Sequence, residues 1–376
     1  MNVSNLSRYA LGVCAAAVAF AGCSAGFQPG SNLAGAMSRS FARPQTSENL
    51  YVVNDPSSGA GSVTVYAPST STPLRTITAG LCYPDWLTFD SSQNLYVANT
   101  AHTLDATLPP GAVRRKGTRP DCAASITVYA PGSTSPSLTI TNGVENPYEV
   151  VVDGSGNLYV PNGYYGRRKG DVTIIDSATG KLLQTIVKGT YNPFCLAVDS
   201  SGTLYVGSEG PGSAGPGWVS VYSAGTNRTL LRKIKDGIDE PNSMAIDASR
   251  NLYVGNYQSG TVSVYAPGAS TPSRTISNGV VFAFSLAFDS AGNLYVADYD
   301  TVTVYAAGTT ELLRTISNGT TAPYSLAFGS NAYLNVANLA SGSSSGSVTE
   351  YAPPGDTLAE TITDGINNPV GIAFGP

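Results

Sequence analysis

The sequence predicts an all-β protein, a seven-bladed β-propeller with four antiparallel strands per blade, and three observations lead to it. A short phrase returns seven times: Asn49-Leu-Tyr-Val, Asn94-Leu-Tyr-Val, Asn157-Leu-Tyr-Val, Thr203-Leu-Tyr-Val, Asn251-Leu-Tyr-Val, Asn293-Leu-Tyr-Val and a degraded Tyr333-Leu-Asn-Val. Each copy sits in a unit of four β-branched or aromatic runs separated by turn residues. The units recur at about 47 residues between Pro84 and Pro369, a period that marks a repeat architecture. Four strands at that period make a propeller blade.

Within a unit the elements follow in a fixed order. The innermost strand is a run such as Leu286-Ala-Phe-Asp, and a tight turn, Ser290-Ala-Gly-Asn, leads to the second strand, Leu294-Tyr-Val-Ala. The third is Val302-Thr-Val-Tyr-Ala, then a Gly/Pro/Ser turn, and the fourth is Arg314-Thr-Ile followed by Ser-Asn-Gly. Apolar residues stand on consecutive positions, as a strand needs when both faces of its sheet are covered. The first unit starts at Asn49 with a second strand, and the last stops after Pro369-Val-Gly-Ile-Ala-Phe, an innermost strand with nothing behind it. The C-terminal strand is therefore expected to complete the first blade and remove the open edges.

The pattern Asn146-Pro-Tyr-Glu-Val-Val-Val-Asp-Gly-Ser-Gly-Asn-Leu-Tyr-Val resembles the NHL repeat, as does Asn192-Pro-Phe-Cys-Leu-Ala-Val-Asp-Ser-Ser-Gly-Thr-Leu-Tyr-Val. The resemblance runs over residues 49–376. It implies the propeller architecture and leaves activity open, because such propellers include extracellular sensors, RNA- and protein-binding modules and a few lyases. The third strand departs from the family pattern, reading Val-Ser-Val-Tyr or Val-Thr-Val-Tyr, and WD-repeat signatures are absent.

Charged residues make up 12% of the chain, about half the ~25% of an ordinary soluble domain, so Ser, Thr, Asn and Tyr must wet the surface. That composition fits a secreted protein. Residues 1–22 carry one charge, Arg8, ahead of a short apolar run with small residues at its end, a signal peptide too short to span a membrane. The run closes on Phe20-Ala-Gly-Cys23, which resembles a bacterial lipoprotein box with Phe20 in place of the usual Leu. Cys23 is the expected lipidation site, and ordinary cleavage nearby is the alternative. Ser24 fits transfer to an outer membrane. Residues 23–48, rich in Gly, Ser and Ala, read as a lipidated Cys and a flexible tether to the propeller of 49–376. The chain is expected to be a monomer, held to the cell envelope outside the cytoplasm.

Three cysteines remain for an oxidising compartment. Cys82 lies in the loop leading into the second blade and Cys122 just ahead of that blade's third strand, positions that share one face of one blade. A Cys82–Cys122 disulfide is expected there. Cys195 falls in an innermost strand and reads as a buried thiol.

Propeller ligands bind most often on the face formed by the loops joining second to third and fourth to innermost strands. Two such loops stand out. One carries Arg114, Arg115, Lys116 and Arg119, and the next blade's carries Arg167, Arg168 and Lys169, together seven of the chain's twenty basic residues on a protein of net charge −5. Tyr164 and Tyr165 lie beside the second triplet and could stack on a sugar or a base. The functional reading is an anion patch for phosphate, an acidic glycan, lipid headgroups or nucleic acid, on a face that could also take a protein partner. The bland reading is a pair of solvated loops, or mutual pairing with Asp105, Asp121 and Asp171. Nucleic acid is not expected as partner in that compartment.

Polar residues also end the second strands: Asn54, Asn99, Asn162, Ser208, Asn256, Asp298 and Asn338. Repetition in every blade favours a structural role, and the Asp series Asp90, Asp153, Asp199, Asp247 and Asp289 likewise reads as turn formers. The channel-lining positions are more individual: Trp86, Glu149, Cys195, Ser243, Ser285, Ser325 and Gly371, with Asp85, Tyr148, Phe194, Asn242, Phe284 and Tyr324 beside them. Glu149, Asp85 and Asn242 could hold a divalent cation through oxygen ligands, as calcium prefers. Gluconolactonase-like propellers use a related carboxylate-and-amide set.

His102 is the single histidine, which excludes a zinc site built from several and disfavours His-dependent chemistry. The reading is a non-catalytic binding or scaffold propeller with no cofactor, its ligand face on the second and third blades. The alternative is a metal-dependent hydrolase or lyase of the gluconolactonase-like type, acting at the channel mouth.

Overall fold

In the computed structural model, residues 48–56, 60–100, 122–163, 170–210, 215–225, 227–339, 345–355 and 357–376 are described. They form seven four-stranded antiparallel sheets and no helix. We number the blades in chain order, with blade 1 at 49–77 and blades 2 to 7 beginning with the loops into Pro84, Pro147, Pro193, Pro241, Ser285 and Pro323. The last strand, Pro369–Gly375, pairs antiparallel with Asn49–Asn54 as the innermost strand of blade 1. The innermost strands touch in a circle, from Pro369–Gly375 through Pro84–Phe89 and round to Pro323–Phe328, so the ring is closed.

The core lies between blades. Along the second strands of blades 1 to 6, Leu, Tyr and Val are all buried because both sheet faces pack on neighbours, and blade 7 has Asn335 in place of the Tyr. At three seams the second-strand tyrosine meets the next blade's Phe edge to face: Tyr51–Phe89, Tyr253–Phe288 and Tyr295–Phe328, each at 4.9 Å between centroids. The third-strand tyrosine points the other way. Tyr66, Tyr129, Tyr222, Tyr265, Tyr305 and Tyr351 each donate a hydrogen bond to a backbone carbonyl in the turn leaving the preceding blade, at 2.5–2.8 Å. Burial pushes these phenols up, Tyr222 and Tyr265 to about 12. Blade 3 has Ile175 at this position and lacks the bond.

The outer strands carry a second device. In five blades the ladder slips so that one residue, Leu74, Leu183, Leu231, Leu313 or Ala359, bulges out unpaired. The leucines are the exposed ones, and a bulge with its added twist blunts an edge that would otherwise pair with another chain.

One strand departs from the periodic expectation. The innermost strand of blade 3 shrinks to Val151–Val152 plus an isolated bridge between Pro147 and Asn162. The interruption coincides with Pro161 on the neighbouring strand, where blades 4 and 5 have Gly207 and Gly255. Proline has no N–H to give to a ladder.

Candidate functional site

The polar residues ending the second strands close one face of the ring, called here the upper face. Each Asn oxygen accepts from the backbone N–H of the loop leading into its own blade: Cys82 to Asn99 at 3.1 Å, Glu145 to Asn162 at 3.0 Å, Asp239 to Asn256 at 3.0 Å, Thr321 to Asn338 at 3.0 Å and Asn367 to Asn54 at 2.9 Å. The amide nitrogen donates to a third-strand hydroxyl, as Asn99 does to Thr127 at 3.0 Å, and that hydroxyl donates to the carbonyl of the turn glycine, here Gly80 at 2.9 Å. These amides are spent on structure. A buried Asn whose donors and acceptor are already matched has little left for a ligand.

The opposite, lower face carries the Asp series as turn formers. Asp90 accepts from the Asn94 N–H at 2.8 Å, and the same geometry recurs at Asp153, Asp199, Asp247 and Asp289. The second oxygen of Asp153 accepts from the Tyr159 hydroxyl at 2.7 Å. A guanidinium stands over that phenol. Arg75, Arg274 and Arg314 donate to Tyr51, Tyr253 and Tyr295 within their own blades. Blade 3 has Gln184 there, and Arg228 of blade 4 reaches back instead, its side chain buried against the Tyr159 ring and 3.9 Å from Asp153.

The channel-lining positions form a hoop. Glu149 accepts from the Leu196 N–H at 2.7 Å, the Cys195 thiol lies 3.4 Å from the Pro241 carbonyl, Ser243 donates to the Ala283 carbonyl at 3.0 Å, and Ser285 accepts from the Leu326 N–H at 3.3 Å. Four consecutive side chains thus satisfy the inner edge of the next blade, a role the sequence did not disclose. Asn242 likewise donates to the carbonyls of Ala283 and Phe284. Blade 4 stands between Glu149 and Asn242, and Asp85 is half-buried in blade 2. Among the described residues no group of three or more His, Cys, Asp or Glu is placed to hold a metal ion.

Burial drives the Glu149 carboxyl well above the ordinary carboxylate range, and the Leu196 N–H only partly offsets that. Its other oxygen is buried without a hydrogen-bond partner. The folded state therefore holds this proton more tightly than the unfolded chain. Stability should fall as pH rises through the ordinary carboxylate pKa, and go on falling up to the raised one, with a slope of at most about 1.4 kcal/mol per pH unit. Glu149→Gln keeps the acceptor and should flatten that slope in denaturant titrations between pH 4 and 8. A variant with the parent's slope would assign the dependence to other groups.

Blade 6 differs most on the upper face. Its second strand ends in Asp298 rather than Asn, and the two carboxylate oxygens accept from the Phe282 and Val281 N–H groups at 2.6 and 2.7 Å. Burial raises the Asp298 carboxyl, and the bonds from Phe282, Val281 and Tyr299 oppose that. The loop so held lies on the preceding blade at Gly260, where φ is +59° and a Cβ would meet the Val281 carbonyl at 2.6 Å. Phe282 then stacks on Tyr257, with centroids 4.8 Å apart and planes 23° from parallel. Phe284 stands 5.8 Å from Tyr257, Phe282 and Tyr324, and Tyr299 is 5.9 Å from Phe282.

Tyr299 is 43% exposed, while Tyr257, Phe282 and Phe284 are half-buried. The result is an aromatic platform across blades 5 to 7. Glu240 flanks it, its backbone carbonyl accepting from the Tyr257 N–H at 3.0 Å; burial raises its carboxyl, and Glu209 and Asp239 raise it further. On the far side of the channel Tyr148 and Phe194 pair at 4.9 Å.

Sequence reasoning named Phe284 and Tyr324 as channel neighbours but missed Tyr257, Phe282 and Tyr299. A signal was present in Val280-Val-Phe-Ala-Phe, an apolar run where sister blades read Ile238-Asp-Glu-Pro-Asn or Thr320-Thr-Ala-Pro-Tyr. Arg114, Arg115, Lys116, Arg119, Tyr164, Tyr165, Arg167, Arg168 and Lys169 lie outside the described residues, as does Cys23. The strands flanking their loops, Leu95–Asn99 with Ser125–Tyr129 and Asn157–Asn162 with Asp171–Asp176, turn over on the upper face. Cys82 and Cys122 are joined in a disulfide with Cα atoms 6.4 Å apart, and Cys195 is a buried free thiol.

A family model described as lactonase, 7-bladed beta-propeller, matches residues 166–281. No curated protein matches the chain. A functionally unknown protein from Desulfotomaculum acetoxidans aligns with a TM-score of 0.66 at 13% identity, over 88% of this chain and 99% of its own. A chain in a crystal structure of the mitotic checkpoint complex aligns with a TM-score of 0.62 at 16% identity, over 80% of this chain and 85% of its own. What is shared at such identities is the fold.

Proposed function

We propose that the chain is a non-catalytic binding propeller that takes a glycan on its upper face. The observation that carries this reading is the aromatic platform of Tyr257, Phe282, Phe284 and Tyr299. The exposed Tyr299 beside the half-buried Tyr257, Phe282 and Phe284 offers an aromatic surface for stacking, and the flanking Glu240 and Asp239 offer acceptors for the hydroxyls of a sugar. The strands flanking the stretches that carry the basic residues at 114–119 and 167–169 turn over on the same face, and that charge extends the reading to glycans that carry acidic groups. The NHL-like pattern supports a binding role, and the Phe20-Ala-Gly-Cys23 box supports an anchor on the outside of a bacterial envelope, with the signal peptide removed.

Titration calorimetry with neutral and acidic oligosaccharides tests it. Tyr299→Ala should weaken binding tenfold or more, since truncating an aromatic anchor typically costs about 2 kcal/mol or more. Exchanging both basic triplets for Ser should weaken only acidic glycans and remove their salt dependence. Binding indifferent to Tyr299→Ala would overturn the platform as the ligand surface.

The match of residues 166–281 to a lactonase propeller family supports a second reading, a hydrolase. It requires turnover of a lactone that EDTA or Glu149→Gln abolishes in a variant that still folds.

A further inference from the structure

Blade 5 breaks a recurring arrangement beside the aromatic platform. In blades 1, 3 and 4 the residue ahead of the innermost Pro is Asn, and its amide donates to the segment behind the second strand. Asn368 donates to the Asp55 carbonyl and Asn146 to the Gly163 carbonyl, both at 2.9 Å, and Asn192 donates to the Glu209 carboxylate. The backbone is left-handed at Asn368 and Asn192, with φ of +56° and +44°, a region that Asn tolerates better than most residues. Blade 5 holds Glu240 there, at φ +53°. A carboxylate has no donor for that bond, and a glutamate has no special ease in that backbone region. The backbone is fixed all the same, the Glu240 N–H donating to the Pro216 carbonyl at 2.9 Å and its carbonyl accepting from the Tyr257 N–H.

The exchange leaves a carboxylate with no role in the scaffold. Among the described residues the Glu240 side chain makes no hydrogen bond and no ion pair. It is near enough to the Tyr257 phenol to add to the rise that burial causes there. Tyr257 stacks on Phe282, and Val281 and Tyr299 beside them are 56% and 43% exposed. An open apolar surface edged by an unpaired carboxylate is complementary to a ligand with an apolar face and a positive charge. Aromatic rings attract an ammonium, and a carboxylate binds one through charge-assisted hydrogen bonds. A divalent ion calls for several oxygen ligands, and no group of three acidic side chains is placed to hold one among the described residues.

We propose that the glycan taken by the platform carries a free amino group, with its sugar ring against Tyr299 and its ammonium between Glu240 and Tyr257. This rests on the glycan reading above and narrows it to a class of ligand. Hydroxyls alone do not call for a full negative charge at the edge of the platform. An N-acetylated sugar has no charge to offer Glu240, and an acidic sugar is repelled by Glu240, Asp239 and the exposed Asp300.

Titration calorimetry of the full chain with three tetrasaccharides of one linkage tests this: β-1,4-linked glucosamine, its N-acetylated form and the glucose analogue. At a pH where the amine is charged, the glucosamine oligomer should bind at least about tenfold tighter than the other two, as a charge-assisted bond supports. Glu240→Gln should bring the three oligomers to one affinity. Glu240→Asn restores the residue of blades 1, 3 and 4, so it should melt no lower than the parent and lose the preference as fully. Raising the pH until the amine is neutral should also remove the preference, although Glu240 can only gain charge. Equal binding of the three by the parent overturns the proposal, and so does a preference that survives either variant. Tetralysine binding as tightly as the glucosamine oligomer overturns it too, and gives the surface to a basic protein. If none of the oligomers binds, the glycan reading falls as well. If all bind alike and weaken in Tyr299→Ala, that reading stands and only the amine is lost.

Discussion

Deleting residues 369–376 is expected to abolish cooperative folding of the whole ring. The strand removed is the innermost one of blade 1, paired antiparallel with Asn49–Asn54 with one bulge at Val370. It buries Val370 and Ile372 at 7% and 5% exposure, and Tyr51 donates its hydroxyl to the Pro376 carbonyl at 2.7 Å. Burial of two such side chains stabilises by about 1.5–3 kcal/mol each, and each ladder hydrogen bond adds about 0.5–1.5 kcal/mol net. Their sum is comparable with the ~5–15 kcal/mol that holds a typical domain together. The loss also spreads. The strand packs on Pro84–Phe89 and on Pro323–Phe328, so both flanking seams open with it. Circular dichroism should show no cooperative transition at a temperature where the parent is folded. An unchanged melting midpoint would mean that the ring does not need its clasp.

The ring was legible because the pattern is repeated. The Leu-Tyr-Val phrase returns in six blades with a degraded seventh, an Asp opens the turn before it in five, and the closing Pro369 run repeats the innermost-strand pattern, and such local rules fix strands and turns. What one blade does to the next was not legible. Arg228 lies more than forty residues from Gln184, whose place over Tyr159 it takes, and no periodicity links them. The hoop of Glu149, Cys195, Ser243 and Ser285 looked like individual channel chemistry because the bonds run to backbone groups, which a sequence does not display. The platform was half visible. Phe284 and Tyr324 occupy a repeat position, whereas Phe282 and Tyr299 come from the one blade whose loop leaves the pattern. In a repeat protein the consensus describes the scaffold, and the departures point to what is particular to the molecule. Blade 6 is of that kind.

Replacing both Cys82 and Cys122 by Ser is expected to cost about 4 kcal/mol, the chain-entropy value for a closed loop spanning a separation of 40 residues. The loop-closure cost in the unfolded chain, rather than any contact in the folded one, supplies most of that figure. The Cys82 N–H still has Asn99 as acceptor without the bridge, so the loop into blade 2 keeps its anchor. In a chain of this size the melting midpoint should drop by roughly 5–8 °C, given ~2–4 °C per kcal/mol for domains of 150–250 residues and less for larger ones. Each single variant should fall as far as the double, because either one opens the ring of covalent bonds. If acidic glycans bind through the blade 2 loop, their affinity should fall in the double variant while neutral glycans, held on the blade 6 platform, keep theirs. A double variant that melts with the parent would mean that the bridge adds nothing to the stability of the folded chain. Equal loss for both glycan classes would place the two surfaces in one site rather than two.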